Sequence, residues 1–264
     1  MEDLDRGREV RGAADAILRA LAAFGLRWDR DITYQSQRTE RYWEILDQLR
    51  ERELLYPCAC SRKLISAEGR AGPEGPIYAG RCRDGLPPDQ PPRSERIRVT
   101  AEPVTVHDRI HGAIKQHLSD SVGDFVLRRA DGIHAYQLAV VVDDADLGIN
   151  QVVRGADLLM STPRQVYLQR CLRLPEPSYA HVPLAVDSTG RKLSKSLADL
   201  PVDPKDPVPA LLTAWQFLGQ TCLESRPATA RDFWAAAIPR WRIADVPRQR
   251  SIDVSTVRPL VARP

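Results

Sequence analysis

Apolar positions recur at helical spacing twice near the start of the chain. Ala14, Ile17, Leu18, Leu21 and Phe24 mark one face of a helix over 11–24, with Gly25 as its stop. Tyr42, Ile45, Leu46 and Leu49 mark a second over 38–53. The period then changes. YPCAC (56–60) reads as short and extended, and 66–95 is dense in glycine, proline and charge, as in an insertion with little regular structure. IRVTAEPVTVHDRI predicts one or two strands, and DFVLRRADGIHAY a strand with a turn at Asp131-Gly132. QLAVVVDD is a buried segment whose type the pattern leaves open, and INQVVRG is a strand. Ser161-Thr162-Pro163 offers a hydroxyl cap and a first-turn proline to a helix through RQVYLQRCL. HVPLAV is a strand leading into RKLSKS; PVPALLTAWQFLG and ARDFWAAAIPRW are helical, and the last dozen residues form a loose tail. Helix and strand alternate throughout, which places the chain in the α/β class.

Composition narrows this picture without redirecting it. The 264 residues carry a formal net charge of +3 and are 43% hydrophobic, enough for one large core or two modest ones. The mild basicity permits a nucleic-acid partner and does not demand one. The absence of an 18-residue apolar run and the acidic MEDLD start argue against a membrane span and a secretory signal. Five cysteines, an odd number, point to a reducing cytoplasm.

Four groups of residues carry candidate chemistry. In RKLSKS, Lys195 can stabilise charge developing on a departing pyrophosphate, with Lys192 assisting; the loop equally suits a solvated basic hairpin. A triphosphate site also needs a wall of backbone N–H groups, and the chain has neither a P-loop nor a dinucleotide glycine pattern. Cys58, Cys60 and Cys82 are either free thiols or three metal ligands, with Tyr78 the nearby candidate for a fourth. Arg154, followed by Gly155, can pair bidentately with a carboxylate, and Tyr136 precedes it by eighteen residues; alone, they also read as a surface arginine and a core tyrosine. Glu2, Asp3 and Asp5 could bind an amine or a metal, or form an acidic frayed end. His107, His111, His117, His134 and His181 fit no catalytic pattern and are taken as structural; Trp215, Trp234 and Trp241 are taken as helix core.

Taken together, these stretches resemble the class I glutamyl/glutaminyl-tRNA synthetase family. The carriers are MEDLDRGREV, YWEILDQLRERELLYPCACSR, IYAGRC, HAYQLAVVVDDADLGINQVVRGADLLMSTPRQ and RKLSKS, in the family's order, with Leu193 in the methionine place of K-M-S-K-S. The resemblance implies a Rossmann-like catalytic domain with a small zinc-bearing insertion. It divides the chain into 1–55 and 131–200 (catalytic), 56–130 (insertion) and 201–264 (C-terminal helices and tail). Glu2, Tyr136 and Arg154 would contact the substrate L-glutamate, and Lys192, Ser194 and Lys195 the ATP, which would enter with Mg2+. Cys58, Cys60, Tyr78 and Cys82 would hold a structural Zn2+. Only 68 residues follow Ser196, too few for an anticodon-binding domain. That size points to the family's short branch, whose acceptor is the queuosine base of tRNA(Asp). Such an enzyme is expected to be a cytoplasmic monomer. A truncated, non-catalytic tRNA-binding protein and a fragment of an ordinary glutamyl-tRNA synthetase are the alternatives.

MEDLD falls inside the family's R-x-E-D-x-D motif, and no H-x-G-H equivalent occurs in the sequence. The resemblance therefore implies that the family's first strand and phosphate-binding helix lie outside residues 1–264, through a misassigned start or a truncated gene. These residues alone are expected to be poorly soluble or inactive in adenylate formation.

Overall fold

The computed structural model describes residues 1–5, 7, 9–193 and 202–256. In chain order the helices are α1 (Ala13–Ala23), α2 (Thr39–Glu51), α3 (Arg62–Glu68), α4 (Leu118–Ser121), α5 (Tyr136–Asp146), α6 (Thr162–Leu172), α7 (Val208–Phe217) and α8 (Ala230–Ala237). The strands are β1 (Leu55–Cys58), β2 (Ala71–Gly72), β3 (Gly75–Pro76), β4 (Ser94–Ile97), β5 (Val104–Asp108), β6 (Gly112–Gln116), β7 (Val126–Arg128), β8 (Gln151–Gly155), β9 (Ser178–Val182), β10 (Leu184–Val186) and β11 (Ser251–Asp253).

The main sheet runs β6-β5-β9-β8, with β5, β9 and β8 parallel and β6 antiparallel at one edge. A second sheet, β1-β4-β7, is antiparallel. The 56–130 stretch contributes to both, because β5 and β6 join the main sheet. Pro183 interrupts HVPLAV and splits it into β9 and β10. β10 then pairs in parallel with β11, which ends at Asp253, the first residue of the expected loose tail.

Two helices build most of the floor. α2 buries Tyr42, Ile45, Leu46 and Leu49, the face its spacing predicts. QLAVVVDD becomes the body of α5, with Leu138, Ala139, Val141 and Val142 all buried. Both helices join one core with Ile97, Val106, Leu127, Leu168 and Tyr179. Burial around much of its circumference removes the amphipathic period that would have identified α5 as a helix. Asp143 ties the two helices together: it is buried and accepts hydrogen bonds from Tyr42 Oη (2.9 Å), Gln35 Nε2 (2.9 Å) and Arg38 Nε (2.7 Å).

Three local expectations change. Ser161 makes no side-chain cap to α6, because a 3-10 helix (Ala156–Ser161) leads into it and holds Ser161 in helical geometry. The stripe on α1 is not core: Ile17 and Leu21 are 50% and 36% exposed. Its C-terminal end meets α8 instead, where Trp234 Nε1 donates to Phe24 O at 2.7 Å. Trp215 is buried as expected, whereas Trp241 is 41% exposed.

Candidate active site and metal centre

The C-terminal ends of parallel strands are where α/β sheets place their ligands. Arg154 sits there on β8, in register with His181 on β9. Its Nε donates to His181 Nε2 at 3.0 Å, and its Nη2 donates to Thr162 Oγ1 (2.9 Å) and Gln165 Oε1 (2.6 Å) on α6. Arg154 lies half-buried against the Tyr179 ring, 5.4 Å from its centroid. Nη1 has no hydrogen-bond partner among the described residues, which leaves its two N–H groups for a carboxylate.

Tyr136 opens α5 on the same side. Burial pushes its phenol up, the nearby Glu2 adds to this, and Arg154 opposes it. Asp144, two turns further along α5, is raised to about 6 by burial, reinforced by Asp143 and Glu2 and opposed by Arg154. Glu2, Tyr136, Asp144 and Arg154 therefore share one electrostatic neighbourhood. Asp3 and Asp5 instead serve structure: Asp3 accepts from the backbone N–H (2.9 Å) and hydroxyl (2.6 Å) of Ser36, and Asp5 pairs with Arg129 at 3.3 Å.

The second constellation lies between β1 and the loop before β4. Cys58, Cys60 and Cys82 are buried, with all three sulfurs within 4.8 Å of one another. Cys60 Sγ and Cys82 Sγ are 3.7 Å apart. The Tyr78 hydroxyl lies 3.5 Å from Cys58 Sγ and 3.9 Å from Cys60 Sγ, and accepts from the Cys82 backbone N–H at 2.9 Å. Burial pushes Cys58 up, but its hydrogen bonds with Tyr78 and Arg96 outweigh this and bring it to about 7. Burial, Cys82 and Cys58 push Cys60 up to about 12, so a cation is what would make it a thiolate. These donors could bind a metal ion.

Residues 1–206 match the family described as tRNA synthetases class I (E and Q), catalytic domain. The chain belongs to this family. It is 52% identical over 255 residues to the glutamyl-Q tRNA(Asp) synthetase of Dechloromonas aromatica, covering 96% of this chain and 85% of that protein. It is 45% identical over 265 residues to the enzyme of the same name from Thiobacillus denitrificans, covering 100% of this chain and 85% of that one. The fold matches a glutamate tRNA ligase from Elizabethkingia meningosepticum with a TM-score of 0.73 at 19% identity, over 94% of this chain. A glutamate-tRNA synthetase from Elizabethkingia anophelis gives 0.74 at 21%, also over 94% of this chain. This chain spans 58% and 59% of those two solved chains.

Within this synthetase catalytic domain, the end of the lysine loop that is described approaches the same sheet edge. Lys192 Nζ pairs with Asp157 Oδ2 at 2.8 Å, and Lys192 bridges back to Val186. Ser194 and Lys195 lie outside the described residues. The sequence reading took His181 as structural and did not single out Asp144, Asp108 or Arg96. His181 was visible only as a polar residue inside an apolar strand, Asp108 as the end of another, and Arg96 as one position of an alternating strand.

Proposed function

We propose that this site activates L-glutamate with ATP, entering as its magnesium complex, and passes it from glutamyl-adenylate to the queuosine base of tRNA(Asp). The observation that carries this reading is Arg154. It is anchored through Nε and Nη2 with Nη1 left over, beside Tyr136 and the carboxylates of Glu2 and Asp144. Arg154 and Tyr136 take a substrate carboxylate, and Glu2 takes the ammonium group. Bound this way, the other carboxylate of glutamate is free to attack the α-phosphate, and Lys192, Ser194 and Lys195 stabilise the departing pyrophosphate. No covalent nucleophile from the protein is required; positioning and charge stabilisation suffice. A hydroxyl of the modified base then attacks the acyl carbonyl, forming the ester, losing its proton and releasing AMP. The names of the relatives support this acceptor over the 3′ end of a tRNA.

Cys58, Cys60, Tyr78 and Cys82 hold a Zn2+ in the same reading. A tetrahedral zinc about 2.3 Å from sulfur sets neighbouring sulfurs about 3.8 Å apart, and Cys60 and Cys82 lie at 3.7 Å. With all four positions taken, the ion is structural. Beside it, a cleft of about 600 Å³ presents Arg62 and Arg93 to an RNA backbone, while Arg129 on its wall is already paired with Asp5 and Asp131.

Two assays separate the pocket from the chemistry. Calorimetric titration with L-glutamate reads the pocket: binding is expected, and Arg154→Met abolishes it. Glutamate-dependent pyrophosphate–ATP exchange, followed by transfer of labelled glutamate to tRNA(Asp) with and without queuosine, reads the reaction. Absence of glutamate binding, or equal transfer to both tRNAs, overturns the proposal.

A further inference from the structure

We infer that Asp108 and His181 form a positioning relay for Arg154, fixing the guanidinium by fixing which imidazole nitrogen carries the proton. This rests on the reading of Arg154 as the ligand of a substrate carboxylate. The three residues form a row across neighbouring strands: Asp108 ends β5, His181 lies on β9, and Arg154 lies on β8. The Asp108 and His181 side chains are both 0% exposed, so water cannot substitute for either partner.

The hydrogen-bond directions leave one arrangement. Asp108 Oδ1 accepts from the backbone N–H groups of Ile110 (2.9 Å) and His111 (2.8 Å). Asp108 Oδ2 faces His181 Nδ1 at 2.7 Å. With the carboxylate ionised, both oxygens accept, so Nδ1 carries the hydrogen. On the far side of the ring, Nε2 faces the Nε–H of Arg154 at 3.0 Å and must be the acceptor. An Nε2–H would set two donors against each other. Thr162 Oγ1 also lies 3.2 Å from Nε2, but it accepts from Arg154 Nη2 at 2.9 Å and its one hydrogen is directed to Leu158 O at 3.1 Å, so the placement of the Nε2 proton is decided by the Arg154 Nε–H. His181 therefore holds Arg154 only as the neutral Nδ1–H tautomer, and Asp108 selects that tautomer. The residues do not touch substrate; they act through Arg154.

Asp108→Asn tests this. Its amide oxygen can keep the two backbone bonds, but its NH2 then faces Nδ1 and forces the proton to Nε2, against Arg154. A change of this kind leaves geometry intact and inverts the tautomer. The readouts are the imidazole 15N–1H long-range correlations of His181, assigned by their loss in His181→Gln, the Arg154 Nε–H resonance, and the Kd for L-glutamate. The wild-type chain should show protonated Nδ1 and bare Nε2. In Asp108→Asn the pattern should invert, the Arg154 Nε–H should lose its slow exchange, and the Kd should rise about tenfold or more. A protonated Nε2 in the wild type overturns the relay without any variant. So does an inverted tautomer with unchanged glutamate affinity. If the wild-type chain binds no glutamate, the functional proposal fails, and the relay stands or falls on the two sets of resonances.

Discussion

Arg96 donates its Nε–H to Cys58 Sγ over 3.3 Å, from inside the protein. The same guanidinium lies 4.0 Å from the centroid of the Tyr78 ring, and its Nη1 donates to Asp124 O at 2.8 Å. A buried cation thus stands against a cluster that gains negative charge as its thiols deprotonate. A hydrogen bond to a charged group contributes about 1.5–3 kcal/mol, and partners behind metal ligands typically govern about 10–100-fold in metal affinity. Arg96→Gln should weaken zinc binding by that factor, read by competition with a chromogenic chelator. Unchanged affinity would show that the cluster does not depend on this charge.

Gly123 sits under the backbone of Tyr78. It has φ +72°, and a Cβ there would lie 2.4 Å from the Tyr78 carbonyl oxygen. Gly112 has a similar φ of +79° but open space around it. A left-handed conformation alone costs a non-glycine residue about 1–2 kcal/mol. Gly112→Ala should therefore lose about that much in urea denaturation. Gly123→Ala should lose more, and should also loosen the metal site, because Tyr78 has to move. Equal losses from the two would remove Gly123 from the account of Tyr78.

Adjacent carboxylates on α5 should act with opposite signs, and Asp143 is the stabilising one. Its three donors come from the α2 region and would face an amide in Asp143→Asn. Breaking one side of a buried charged network costs about 3–5 kcal/mol, and for a chain this long each kcal/mol lowers Tm by about 2–4 °C. Thermal unfolding should show a fall of roughly 6–20 °C; a shift within two degrees or so would contradict the clamp.

Asp144 is the destabilising one. Its folded pKa is raised to about 6 from an ordinary 3.8, by burial and by Asp143 and Glu2 against the pull of Arg154. A carboxyl raised in the folded state binds its proton more tightly there, so stability rises as pH falls from about 6 towards 4 and is reduced above pH 6. Asp144→Asn should stabilise the ligand-free chain at pH 7 and flatten its urea midpoint between pH 4 and 6. A destabilised variant at pH 7 would contradict this.

Legibility followed locality. The face of α2 could be read because one side only is buried, so the 3.6-residue period survives. α5 could not, because it is buried over much of its surface and its apolar run suits helix and strand alike. The cap expected at Ser161 failed because a 3-10 turn upstream continues into the helix. Cys58, Cys60, Tyr78 and Cys82 were within reach because 25 residues hold the whole set.

The sequence by itself determined the chemistry available: three thiols and a phenol close together, an arginine at a strand end, lysines on a loop, and motifs in a synthetase's order. Tertiary structure decided which of these come together and with what partners. Asp108 and His181 are 73 residues apart and meet only because β5 and β9 become neighbours in one sheet. Arg96 reaches Cys58 only through the pairing of β1 with β4. Strand order is a property of the packed core and no short window of sequence encodes it, so these pairings appear only once the sheets have formed.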